Sequence, residues 1–96
     1  MATVVHGDFE CDDAKAAVNE KKHGVTFLEA ATVFEDVDFL LNVDPLDPSR
    51  FIAAGFSGAA RVLVVVHAIR AERTRLISAR RATLREEELY AERRGR

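Results

Sequence analysis

The 96-residue sequence has one cysteine, two prolines, one tyrosine and no tryptophan. A single thiol, Cys11, excludes an internal disulfide framework and points to a reducing compartment. The longest apolar run, Val62 to Val66, is far shorter than the ~20 residues that cross a bilayer. Asp8 and Glu10 arrive early and no apolar stretch follows Met1, so no signal peptide is expected; the location reads as cytoplasmic, with no membrane partner. His6, His23 and His67 lack HxxxH or HxH spacing, and Cys11 has no CxxC partner, so no metal or cofactor is expected. There is no G-x-S-x-G elbow, Walker A loop or G-x-G-x-x-G turn. The acidic pairs Asp12-Asp13 and Asp36/Asp38 are better explained as a helix cap and a solvated loop than as acid–base pairs.

Cations are divided unevenly along the chain. Residues 1–48 contain no arginine, three lysines and eleven acids, a net −8; residues 49–96 contain no lysine, eleven arginines and five glutamates, a net +6. Such a chain can offer an acidic surface to a basic partner and an arginine-rich one to an anion. Arginine forks suit bidentate phosphate recognition, although an arginine-favouring codon bias has the same signature.

The hydrophobic fraction, 48%, with 31% charged residues, describes one globular domain spanning residues 1–96. Thr3 to Phe9 reads as a short strand interrupted by Gly7. Asp12 or Asp13 caps a first helix, with Ala14, Ala17, Val18 and Lys21 on one face, and Gly24 ends it. Thr26-Phe27-Leu28-Glu29 is a capping box opening a second helix to Phe34, with Phe27, Ala30, Ala31 and Phe34 as its stripe. Strands are then expected at Phe39–Val43, Phe51–Phe56, Arg61–Ala68 and Thr74–Arg80, separated by Asp44-Pro45-Leu46-Asp47-Pro48 and two short loops. Thr83-Leu84-Arg85-Glu86 is a second capping box, starting a last helix through Leu89 and Tyr90. The order predicts an α+β fold: two N-terminal helices and a C-terminal helix packed on a four-stranded, mainly antiparallel sheet.

Two cation groups stand out. Lys21, Lys22 and His23 fill the last turn of the first helix, where the macrodipole alone favours positive charge. Arg80 and Arg81 end the strand that pairs with the one Arg61 opens, so the three gather at one sheet edge, with Arg50 beside them or one strand further off. Pairing with Glu86, Glu87 and Glu88 is the bland account of these arginines. A DNA-binding helix-turn-helix over residues 17–34 is disfavoured, because its second helix carries Glu29 and Glu35 and no cation.

The segments Phe9-Glu10-Cys11-Asp12, Lys15, Asn19, Lys22-His23-Gly24-Val25-Thr26-Phe27, Glu29-Ala30, Arg61 to His67, and Ile77-Ser78-Ala79-Arg80-Arg81-Ala82-Thr83 with Glu86 and Tyr90 resemble the BrnT family of type II toxins. The resemblance implies a RelE-like α+β fold, metal-independent RNA cleavage that arrests translation, and a BrnA-type ribbon-helix-helix antitoxin that links the toxin to operator DNA only indirectly. The chain departs from the family pattern at Cys11, where tryptophan is usual, and at Ser49, where an acid often precedes the arginine. In metal-free cleavage the 2′-OH attacks internally, so a base, an acid and cations for the phosphorane are needed. His23 suits the acid or base role, since an ordinary imidazole titrates near about 6.5. Lys22, Arg61 and Arg80 would stabilise the transition state; Lys21, Arg50 and Arg81 would position RNA. His67 is the rival histidine, better suited to the core at the end of an apolar strand. A catalytically impaired member that only binds its antitoxin as a co-repressor is the alternative.

Overall fold

The structure is a computed structural model that describes residues 2–95. Strand β1 (Thr3–His6) turns back into β2 (Phe9–Asp12), followed by helices α1 (Asp13–His23) and α2 (Phe27–Thr32), with a 3-10 turn at Val33–Glu35. Strands β3 (Leu40–Val43), β4 (Phe51–Phe56), β5 (Val62–Arg70) and β6 (Arg73–Arg81) precede helix α3 (Leu84–Arg94). They form one six-stranded sheet in the order β1-β2-β6-β5-β4-β3. All neighbours are antiparallel except β2 and β6, which run parallel.

The expected four-stranded sheet preceded by two helices is therefore corrected to a mixed six-stranded sheet whose first two strands come before the helices. Gly7 does not interrupt one strand; at φ 62 it forms the two-residue turn between two, with His6 opposite Phe9. The four strands from β3 to β6 do form the expected antiparallel meander, and Phe51–Phe56 has the expected bounds.

Helix α1 begins as its sequence dictates. The Asp12 carboxylate accepts from the amides of Ala14 and Lys15 at 2.9 and 3.1 Å, and Gly24 closes the helix in the left-handed region. Its expected apolar face is wrong, however, since Val18 is 63% exposed. The buried residue is Asn19. The reason lies in β6, which pairs with β2 only at Thr74 and Arg75. Further along that edge Asn19 stands in for a strand. Its side chain donates to the Ala79 carbonyl at 2.8 Å and accepts from the Ala79 amide at 3.0 Å, while its second N–H donates to the Val25 carbonyl at 3.0 Å.

The α2 stripe is as expected: Phe27, Ala30 and Val33 join Val25, Leu63, Val65, Leu76 and Ala79 in one buried cluster, with Phe34 and Ala31 packed against it. The Thr26 capping box is only half made. Thr26 Oγ1 accepts from the Glu29 amide at 3.1 Å, but the Glu29 carboxylate turns to Ser57 and Arg61. The Thr83 box of α3 is complete. Tyr90 fastens α3 to the body: its ring meets Phe56 edge-on at 5.4 Å and its hydroxyl donates to Asp36, which also accepts from the Asp38 and Phe56 amides.

Candidate functional site

The α1–α2 turn is the centre of the candidate site. Lys21 and Lys22 are exposed and His23 is half-buried in the last turn of α1. Arg61, arriving at the start of β5, reaches this turn: its Nη2 donates to the Gly24 carbonyl at 2.9 Å. The same guanidinium grips Glu29 of α2 through Nε at 2.8 Å and Nη2 at 2.6 Å, and Ser57 Oγ donates to that carboxylate at 2.7 Å. Hydrogen bonds from Arg61, aided by Ser57, hold the Glu29 carboxyl below the usual carboxylate range despite partial burial. Arg61 thus joins the turn, α2 and the β4–β5 loop.

Strand register brings the arginines at the end of β6 to the same side of the sheet. Leu63 pairs with Arg81 and Val64 with Arg80, close to where Arg61 enters. Paired residues share a sheet face, so Arg80 and Arg81 point to opposite faces as expected. Arg80 is bound bidentately to Glu86 at the start of α3, at 2.7 and 2.9 Å. This fork, with the Thr83 amide, draws the Glu86 carboxyl down to about 2. Arg81 is exposed and lines, with Arg61, Tyr90 and Arg94, a depression of about 720 Å³ beside α3. Lys22 and His23 line a different, shallower one of about 400 Å³, shared with Lys15, Ile77 and Ser78 at the α1–β6 seam.

Arg50 does not join this group. Phe51 pairs with His67 whereas Phe56 pairs with Val62, so Arg50 lies at the far end of the sheet from Arg61, about 17 Å away along the strands. There it contacts Asp47 at 3.4 Å, and Ser49 hydrogen-bonds the same carboxylate. His67 is 3% exposed, with its ring packed edge-on to Phe34 at 4.8 Å and stacked on Phe51 at 5.8 Å. Burial pushes its pKa below the ordinary histidine value. It is a core histidine, away from the cation group.

The family profile described as "Ribonuclease toxin, BrnT, of type II toxin-antitoxin system" matches residues 11–86. The chain belongs to the BrnT family of ribonuclease toxins. The BrnT match begins at Cys11 and ends at Glu86, so it spans the α1–α2 turn, Glu29, Arg61, Arg81 and the Arg80–Glu86 pair, but not Tyr90 or Arg94. The fold is also similar to the 1.1 Å crystal structure of the Brucella abortus ribonuclease toxin BrnT, with a TM-score of 0.62 over 76% of this chain and 92% of that one, at 21% identity. Among functionally curated proteins none matches in sequence. Within the described residues, no helix of this BrnT member is long and apolar enough to cross a membrane.

Glu29, Glu86 and Asn19 appear in the sequence reading only as capping or family-motif residues, with no site role assigned. Glu29 and Glu86 were absorbed into capping boxes, and only the pairing of surface arginines with acids near residue 86 hinted at the second. Asn19 has no signal in hydrophobic periodicity at all, because it is a polar residue on the buried face.

Proposed function

We propose that this BrnT member cleaves RNA in the cytoplasm without a metal ion and so arrests translation, with the 2′-OH as internal nucleophile. The observation that carries the reading is the convergence of cations on one turn: Lys21, Lys22 and His23 close α1, and Arg61 hydrogen-bonds the carbonyl that follows them. A scissile phosphate at this turn would meet Lys22 and Arg81 as free charges, with Arg61 and Arg80 presenting oriented N–H groups to the phosphorane. His23 would relay the proton between the 2′-OH and the leaving 5′-oxygen. Lys21 would hold the adjacent backbone; Arg50, at the far sheet end, could touch only distant nucleotides. The partner would be a BrnA-type ribbon-helix-helix antitoxin that silences the toxin and ties it to operator DNA.

The test is cleavage of a defined RNA by the purified chain in EDTA. His23→Ala should lower kcat by about a hundredfold or more, and Arg81→Ala should raise KM with kcat little changed. Wild-type turnover by His23→Ala sinks the acid–base assignment. Activity abolished by EDTA and restored by a divalent ion sinks the metal-free mechanism.

A second reading is favoured by one observation. Arg61, Arg80 and Arg50 are each already paired with a carboxylate, of Glu29, Glu86 and Asp47 respectively. A chain with its arginines so neutralised could bind the antitoxin as a co-repressor without cutting RNA. Expression without antitoxin separates the two: arrested growth supports the nuclease, unaffected growth the impaired member.

A further inference from the structure

On the far side of α1 from the cation-lined seam lies an apolar groove of about 480 Å³, walled by the β1–β2 hairpin, α1 and α2. Phe9, Cys11, Phe27 and Leu76 form its floor, and the last two are themselves part of the buried core. The groove therefore opens onto the core with no element of the described chain laid over it. At its rim Val4 is 45% exposed and Leu28 63% exposed, an arrangement that leaves large apolar groups in water on both walls.

The residues lining it include three carboxylates and one titratable base, His6. Asp13 and Glu20 sit on the α1 wall, and no lysine or arginine is among the lining residues. Glu10, also in the lining, is satisfied by Arg75 at 2.5 Å, but among the described residues Glu20 makes no ion pair. The α1 and α2 walls have their backbone groups bonded within the helices, while β1 is the outer strand of the sheet and pairs only with β2. An amphipathic helix satisfies its own amides and lays an apolar face against such helical walls.

We propose that this groove docks an amphipathic helix of a partner protein, with aliphatic anchors one turn apart entering beside Leu28 and Cys11 and basic residues flanking them opposite Glu20 and Asp13. This surface is separate from the cation-lined turn, and the inference does not depend on the mechanism given for that turn. It also assigns a use to the acidic first half of the chain, which an RNA site leaves unexplained.

The experiment measures binding of two synthetic helical peptides to the full chain by fluorescence anisotropy. Both carry leucines at i, i+3, i+4 and i+7; one has lysines on the flanks and the other glutamates. The lysine peptide should bind and the glutamate peptide should bind at least about tenfold more weakly. Leu28→Glu, a change at an exposed position, should raise Kd for the lysine peptide about tenfold, and Glu20→Lys should raise it while steepening binding of the glutamate peptide. Equal binding of both peptides, or binding unchanged in both variants, overturns the assignment. Sedimentation of the chain alone supplies the other control: a dimer that Leu28→Glu dissolves would show that the groove takes a second copy, and would overturn a helical partner.

Discussion

Replacing Asn19 by alanine should be among the most damaging single changes in this protein. The side chain is 5% exposed and all three of its hydrogen bonds go to backbone groups. Truncation strands the Ala79 amide and carbonyl on the β6 edge and the Val25 carbonyl in the α1–α2 turn. An orphaned buried polar group costs about 1–3 kcal/mol. Water that enters the vacated space, donating to the carbonyls and accepting from the amide, recovers part of this. A loss of about 3 kcal/mol follows, against a total near 5–14 kcal/mol for a domain of this length. Urea denaturation followed by circular dichroism measures it. Asn19→Asp sharpens the test, because it keeps the acceptor for the Ala79 amide but turns the two donors into oxygen facing the carbonyls of Val25 and Ala79. That variant should regain stability as pH falls and its carboxyl is protonated. Alanine at position 19 costing under about 0.5 kcal/mol would mean that the amide is not the fastener described, and the reasoning would fail.

Three further outcomes follow from the titrating groups. The folded Glu86 carboxyl lies near 2, below its ordinary value of 4.5, so its stabilisation is complete above 4.5 and lost as pH falls toward 2; Glu86→Gln should flatten that part of the urea-midpoint profile relative to wild type. Tyr90 is raised by burial and by Asp36 to about 12, so its contribution is intact below 10 and lost as pH rises toward 12. Tyr90→Phe should keep the ring contact with Phe56, lose about 1–2 kcal/mol with the hydroxyl, and remove that alkaline slope. Burial pushes the Cys11 thiol up, so iodoacetamide at pH 8 should alkylate it more slowly than a free cysteine; equal rates would place the thiol in solvent.

The parts legible from sequence were those decided locally. The meander from β3 to β6 follows from alternation and turn residues, and the Thr83 box from two residues three apart. The parallel pairing of β2 with β6 was not legible, because it joins Phe9 to Thr74 and rests on two residues of register that no local pattern records. The face of α1 was misread for a related reason: alanines at helical spacing look like a core stripe, yet the helix lies along an open strand edge, where an amide is worth more than a methyl. In the site, sequence placed Arg61 correctly beside Arg80 and Arg81 through strand direction alone. It could not show that two carboxylates would claim two of them.

Those carboxylates change what the arginines can contribute. A guanidinium has five N–H donors, and Arg61 uses Nε and Nη2 on Glu29 and Gly24, leaving its Nη1 unengaged. Arg80 likewise directs Nη1 and Nη2 to Glu86 and keeps Nε free of it. Each pair is close to neutral as a whole, so its long-range pull on a polyanion is small, but its remaining N–H groups are fixed in direction. On the proposed RNA-cleaving reading, attraction of RNA would come from Lys21, Lys22 and Arg81, and orientation of the reacting phosphate from Arg61 and Arg80. Capture by exposed, screened charges and alignment by buttressed forks are different tasks. The two kinds of cation would divide them: the exposed ones sit at the helix end and the β6 terminus, while Glu29 has turned from its cap to hold Arg61 and Glu86 holds Arg80 while still closing the Thr83 box.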